Sequence, residues 1–324
     1  MTLRVIQWAT GGVGQAAIGQ ILLHPDLELV GCWVHSAEKD GTDLGILLGR
    51  DPIGVAASND IDALLATEAD AVIYAPIFAD PGVVDRILAS GKDVVTPLGW
   101  FFPEPAERDR IDAVAKAAGT TIHGTGIHPG GITERFPLVL SALSGSITHV
   151  RAEEFSDIRT YGAPDVIRDW MLFGKTPEEA RTSIMADALG AGFRQSVHMV
   201  AAELGFILDE GLRTTHEMAV ATAPIDSPIG PIQPGTVAAQ RFLWEGLVDG
   251  VPVITAAVNW LMGEADLDPP WAFGPERERF EVEVTGDPDL LVTFKKLHPH
   301  SIAEGLARNP GIVATALHLS LIHI

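Results

Sequence analysis

The chain has 324 residues, 47% of them apolar and 20% charged, a balance that builds packed cores rather than disorder and a length suited to two ordinary domains. Lys and Arg total 22 against 43 for Asp and Glu, a net charge of −21, which repels phosphate backbones and anionic bilayers and argues against nucleic acid or a membrane surface as partners. The one cysteine, Cys32, cannot close an intrachain disulfide, and no apolar run reaches the roughly 18 residues of a membrane span, so a cytoplasmic setting is expected.

From Leu3 to about Gly126 short β-branched runs alternate with helical patterns, the order of a parallel sheet wrapped by helices. Strands are predicted at Leu3–Ala9, Leu27–Val34, Ile53–Ala57, Ala71–Ala75, Asp93–Thr96 and Thr121–Gly124. Helices are predicted at Val13–Leu23, Ile61–Ala66, Gly82–Ala89 and Ala106–Ala118, the last two closed by Gly91 and Gly119. After about Thr148 long β-rich segments follow at Val150–Phe155, Arg213–Thr222, Val237–Val248, Val251–Trp260 and Phe280–Thr293, with one helical stretch at about Pro177–Asp209. Strands without intervening helices call for a largely antiparallel sheet. The fold class is therefore α/β: a Rossmann doubly wound parallel sheet over residues 1–147, then an α+β domain of largely antiparallel sheet over residues 148–300.

The first strand runs through Ala9-Thr10-Gly11-Gly12-Val13-Gly14 into a helix, where a phosphate-binding turn belongs. Against G-x-G-x-x-G the first glycine is Ala9, while Gly11 and Gly14 keep the spacing. Gly11 lets the backbone approach a pyrophosphate, Gly14 lets helix pack on strand, and the free N–H groups of Gly12 to Gly14 with the helix dipole bind the phosphates, with Thr10 and Val13 also beside the cofactor. The second strand ends at Val34-His35-Ser36 with Lys39 beyond, and no carboxylate closes it to take ribose hydroxyls. Ser36 and Lys39 suit the 2′-phosphate of NADP, with NAD as the other possible cofactor. A solvated lysine is the plainer reading of Lys39, and a dinucleotide-binding sensor without chemistry would carry the same turn.

Ligands of such sheets lie outside the carboxyl ends of the strands, so Ala75 and Pro76, then Thr96, Pro97 and Gly99, are expected beside the ribose and nicotinamide. His128 follows the sixth strand in a glycine-rich stretch and is the candidate proton donor, since imidazole exchanges protons near neutral pH. Glu153, Glu154 and Asp157 open the second domain on a strand whose alternation sends Glu153 and Glu154 to opposite faces, read as solvated. Trp100, Phe101, Phe102 and Trp170 are candidate apolar walls for a substrate. No nucleophile elbow, P-loop or H-E-x-x-H occurs, and His298 with His300 lacks the partners of a metal site.

Val5–Gly11, Val34–Ser36, Ile122–Gly130 and Asn309–Thr315 resemble the dihydrodipicolinate-reductase-like family that contains 2,4-diaminopentanoate dehydrogenase and the native amine dehydrogenases. The resemblance implies an NAD(P)H-dependent oxidoreductase acting on C=O or C=N, with a small carbonyl, imine or amine as substrate. It also implies a second domain that mediates homo-oligomerisation, a dimer first, and a C-terminal helix at residues 301–324 that returns to the first domain. Amine-forming members carry a glutamate shortly after the fifth strand, where this chain reads Pro97 to Pro103; the nearest substitutes are Glu104 and the Glu153/Glu154 pair, of which Glu104 is the expected stand-in. The ending Leu319–Ile324 departs from the family and is expected to be non-native.

Overall fold

A computed structural model describes residues 2–295. The expectations for His298, His300, the helix at 301–324 and the chain end lie outside the described residues. Two compact units form, divided at Gly126/Ile127.

The first unit holds β1 (Leu3–Trp8), α1 (Gly12–Leu23), β2 (Leu27–Trp33), α2 (Leu44–Leu47), β3 (Ala57–Ser58), α3 (Ile61–Ala66), β4 (Ala71–Tyr74), α4 (Pro81–Ala89), β5 (Asp93–Thr96), α5 (Pro105–Ala118) and β6 (Ile122–Gly124). Its six strands are all parallel in the order β3-β2-β1-β4-β5-β6, the order of a doubly wound dinucleotide fold. Each strand feeds both faces because successive side chains alternate. Val5, Ile73 and Val95 join α1 residues Ala17, Ile18 and Ile21 on one side. Ile6, Trp8, Val72 and Val94 join Val84 and Ile87 of α4 and Ile111 of α5 on the other. Both faces are covered, which is why these strands read as near-continuous apolar runs.

The second unit opens on a π-helical turn (Gly131–Arg135), α6 (Phe136–Ser141) and β7 (Ser146–Asp157), and a second π-turn follows at Val166–Trp170. Then come α7 (Pro177–Thr182), α8 (Ile184–Leu204), β8 (Arg213–Ala221), β9 (Val237–Val248), β10 (Val251–Leu261), β11 (Leu267–Asp268), β12 (Arg279–Asp287) and β13 (Leu290–Lys295). Its seven strands run β11-β8-β9-β10-β7-β12-β13, antiparallel except for the parallel pair β10 and β7. Phe193 and Val197 of α8 lie in one apolar cluster with Trp244, Val258 and Trp260 of the sheet. The expected boundary at 147/148 falls 21 residues later than the division by contacts. The reason is that Ile132 of the π-turn is buried with Ala152, Phe280 and Val282 of the second sheet, and Phe136 and Leu140 pack against them. Among the described residues no helix is long and apolar enough to cross a membrane.

Candidate active site

The carboxyl ends of β1, β2 and β4 are laced together. Ala9 N–H donates to Trp33 O at 2.9 Å and Ala75 N–H to Trp8 O at 3.2 Å. Trp8 and Trp33 stack beneath them, with ring centroids 5.3 Å apart and planes 16° from parallel, and His35 meets Trp33 at 6.0 Å. The turn into α1 then makes three demands on its residues. Ala9 takes φ +76°, a left-handed conformation that costs an L-residue about 1 kcal/mol and normally falls to glycine. A Cβ on Gly14 would stand 2.0 Å from Ala9 O, so helix and strand approach only because that side chain is missing. A Cβ on Gly11 would meet nothing within 4 Å, which leaves open space above the turn. No side chain caps α1 and no acidic residue stands in its first turn, so its N–H groups and dipole are available to an anion.

Lys39 reaches back over this turn. Its Nζ donates to Thr10 Oγ1 at 3.3 Å, which brings the ammonium of the post-β2 loop to the glycine-rich turn. Ser36 Oγ accepts from Glu38 N–H at 3.3 Å and caps the short 3₁₀ turn Ala37–Lys39. Of the residues predicted beside the cofactor, Thr10 and Lys39 are therefore in direct contact, and His35 and Ser36 lie on the same strand end.

After β5 the chain is held tightly. Thr96 is fully buried and its Oγ1 accepts from Leu98 N–H at 3.2 Å. Gly99 and Trp100 follow at φ +136° and +55°. Trp100 Nε1 donates to Glu107 Oε1 at 3.0 Å, and Glu107 is gripped by the Arg110 guanidinium, which also pairs with Asp85. The Arg110 hydrogen bonds hold the Glu107 carboxyl below its ordinary range. Trp100 thus packs toward the α4 and α5 core rather than forming a free aromatic wall. Phe102 stays exposed, as does Glu104, the residue before α5.

In the second unit His128 does not present a donor. Its Nε2 lies 3.0 Å from Ala257 O, and since a carbonyl only accepts, Nε2 carries the ring proton. Nδ1 is enclosed without a partner, and the edges of Phe193 and Phe280 close on the ring at 4.9 and 5.6 Å. Burial pulls the imidazole down to about 4, so it is neutral near pH 7. In this geometry the ring's one proton is directed at Ala257 O, so the donor role expected of His128 requires that hydrogen bond to break.

Glu153 and Glu154 are corrected, because both are buried rather than solvated. Glu153 pairs with Arg151 and accepts from Asn259 Nδ2 at 2.8 Å. Glu154, on the opposite face, accepts from Ser156 Oγ at 2.6 Å, and burial lifts its carboxyl to about 7. Glu134 escaped the sequence reading altogether. It sits on the π-turn, 5% exposed, with Ser196 Oγ of α8 on its carboxyl, and burial raises it to about 7 against hydrogen bonds from Ser196, Thr133 and the Gly130 N–H. Its one sequence signal is a charge between the apolar Ile132 and Phe136.

Residues 132–269 match the 2,4-diaminopentanoate dehydrogenase C-terminal domain. The chain is 30% identical over 329 aligned positions to the amine dehydrogenase of Streptomyces virginiae, covering 97% of this chain and 89% of that one. It is 24% identical to the 2,4-diaminopentanoate dehydrogenase of Acetoanaerobium sticklandii over 76% of this chain and 73% of that one. The solved amine dehydrogenase of Mycobacterium smegmatis shares the fold with a TM-score of 0.76, at 21% identity and over 98% of this chain and 90% of that one. With a parallel six-stranded sheet ending in an uncapped glycine turn and a relative matched along nearly its whole length, this chain belongs to the amine dehydrogenase and 2,4-diaminopentanoate dehydrogenase family and is a nicotinamide-dinucleotide-dependent oxidoreductase.

Proposed function

We propose that the enzyme uses NADPH in preference to NADH to reduce the C=O or C=N bond of a small, fairly apolar carbonyl or imine, releasing an alcohol or amine. The observation that carries the cofactor choice is the Lys39 ammonium on Thr10 at 3.3 Å, at a strand end where Ser36 offers a hydroxyl and no carboxylate replaces it. A 2′-phosphate there gains a point charge that NAD cannot use. Gly11, Gly12, Val13 and the start of α1 take the pyrophosphate, and Ala75, Pro76, Thr96, Pro97 and Gly99 border the ribose and nicotinamide.

When bound, the dinucleotide supplies the hydride. The chain must then hold the substrate and deliver a proton to its oxygen or nitrogen as charge develops there. Glu104 takes that role in this reading, its exposed carboxyl standing where a ligand can meet it, while His128 fixes its loop. The single buried Cys32 fits the reducing cytoplasmic setting expected from the sequence, and a homodimer is the working form in this reading.

Oxidation of NADPH against small aldehydes and ketones, with and without ammonium, tests the reaction. Carbonyl or preformed-imine reduction is expected, with ammonium adding little, and Glu104→Gln should slow it. In cofactor titrations Lys39→Ala should lower NADPH affinity about tenfold, or about 1.4 kcal/mol, and leave NADH unchanged. Tighter binding of NADH by the parent, or an NADPH preference indifferent to Lys39→Ala, refutes the NADP assignment.

A further inference from the structure

Gln7 is a fully buried amide in the middle of an apolar strand, on the β1 face that also carries Val5 and meets α1. Its Nε2 donates to Trp8 O at 3.0 Å and to Ala9 O at 3.1 Å. Both acceptors are carbonyls, which cannot donate, so the amide has one admissible orientation. That orientation leaves Oε1 enclosed with no partner, a cost a strand residue such as leucine would never incur.

The amide, the Ala9 carbonyl and the first turn of α1 meet at one point, for a Cβ on Gly14 would lie 2.0 Å from Ala9 O and 3.1 Å from Gln7 Nε2. Ala9 is the residue held at φ +76° without being glycine. A strained conformation of this kind persists only where its surroundings over-determine it. Phosphates repel carbonyl oxygens and take N–H groups, so a dinucleotide turn works only if its carbonyls are turned inward.

We propose that Gln7 is a positioning residue for the dinucleotide: its buried amide clamps the carbonyls of Trp8 and Ala9 inward, holds Ala9 in its left-handed conformation, and so aims the N–H groups that follow at the pyrophosphate. The residue touches no reacting atom and acts through the turn. Because the pyrophosphate is common to NAD and NADP, the clamp serves both cofactors alike, unlike Lys39.

The test is a cycle of Gln7→Met, Ala9→Gly and the double variant, titrated with NADPH and NADH by quenching of tryptophan fluorescence and melted without cofactor. Gln7→Met should weaken both cofactors about tenfold. Ala9→Gly should keep affinity within about twofold and raise the melting temperature, since glycine takes the turn without strain. In the double variant most of the Gln7→Met loss should disappear, because an unstrained turn no longer needs the clamp. Affinities for Gln7→Met within twofold of the parent overturn the proposal, as does a loss of equal size in the Ala9→Gly background. Should Gln7→Met fail to fold, Ala9→Gly alone decides: a fall of threefold or more would show that the stiff alanine backbone, and not Gln7, sets the turn. A loss confined to NADPH would likewise refute the clamp while leaving the NADP assignment intact.

Discussion

Glu134→Gln should make the protein's stability less sensitive to a rise in pH from about 4.5 to about 7. Burial holds this carboxyl at about 7 instead of its ordinary 4.5, and the single cationic influence on it is Arg135, the weakest of its causes. Ser196 adds a constraint from geometry. Its one hydroxyl proton faces the Glu134 carboxyl and Gly192 O at 3.1 Å, and a carbonyl and an ionised carboxylate both only accept. A protonated Glu134 resolves this by donating to Ser196, which then donates to Gly192. The sign follows from linkage: between pH 4.5 and 7 the folded state keeps a proton that the unfolded chain has lost, so stability falls as pH rises through that window and the loss is complete above 7. At about 1.4 kcal/mol per pH unit the total is about 3 kcal/mol, or roughly 6 to 12 °C in Tm for a domain of this size. Glutamine keeps the shape and a donor but cannot ionise, so the variant should gain that much on the parent between pH 4.5 and pH 8. Glu154, also at about 7, acts in the same direction. His128, held down to about 4, acts in the opposite one, adding stability as pH rises from 4 to 6.5. Both are present in parent and variant and cancel in the difference. Urea denaturation at pH 4.5, 6 and 8 measures it, and a constant gap between the two proteins would show that Glu134 ionises like an exposed glutamate.

Two further outcomes follow from packing. Gly124→Ala places a Cβ 2.2 Å from Gly99 O and 2.4 Å from the Trp100 carbonyl carbon, backbone atoms that cannot swing aside, so a loss of more than about 2 kcal/mol is expected in urea denaturation; a loss below about 0.5 kcal/mol would show that the post-β5 loop yields. Cys32 is fully buried and burial pushes its thiol up to about 12, so a thiol reagent such as DTNB should label it at pH 8 only after unfolding, and stoichiometric labelling of the native protein would contradict that burial.

The parallel sheet was legible because its information is local. Strands buried on both faces announce themselves as apolar runs, and β2, β4 and β5 lie within a residue of their predicted ends. Where the reading slipped, side chains had redirected the backbone. The run predicted at Ile53–Ala57 narrows to Ala57–Ser58 because the Asp43 carboxylate takes the N–H groups of Ile53 and Gly54, at 3.0 and 2.8 Å, before a neighbouring strand can. The run predicted at Phe280–Thr293 breaks into β12 and β13, since Asp289 Oδ1 captures the N–H of Gly286 at 2.8 Å and Pro288 has none to give to a ladder.

The candidate site divides along the same line. Its cofactor half is one short stretch of chain, so the turn from Ala9 to Gly14 could be recognised from spacing alone, even with alanine in the first glycine's place. The carboxylates of the second unit could not be ranked that way. Alternation correctly sends Glu153 and Glu154 to opposite faces, but solvation depends on what covers each face, and those partners come from far along the chain: Asn259 for Glu153 and Ser196 for Glu134. The chemical state of each acid then follows from the kind of partner. Glu153 has the Arg151 and Arg241 guanidinia beside it, whereas burial drives Glu134 and Glu154 toward the neutral acid and the hydroxyls and N–H groups that face them offset only part of it. Two buried acids that burial lifts to about 7, in an enzyme whose chemistry moves one proton with each hydride, superimpose a pH dependence of stability on that of turnover. Comparing Tm with kcat/KM across pH 6 to 8 for Glu134→Gln and Glu104→Gln separates them: the first should move the melting profile and the second the rate.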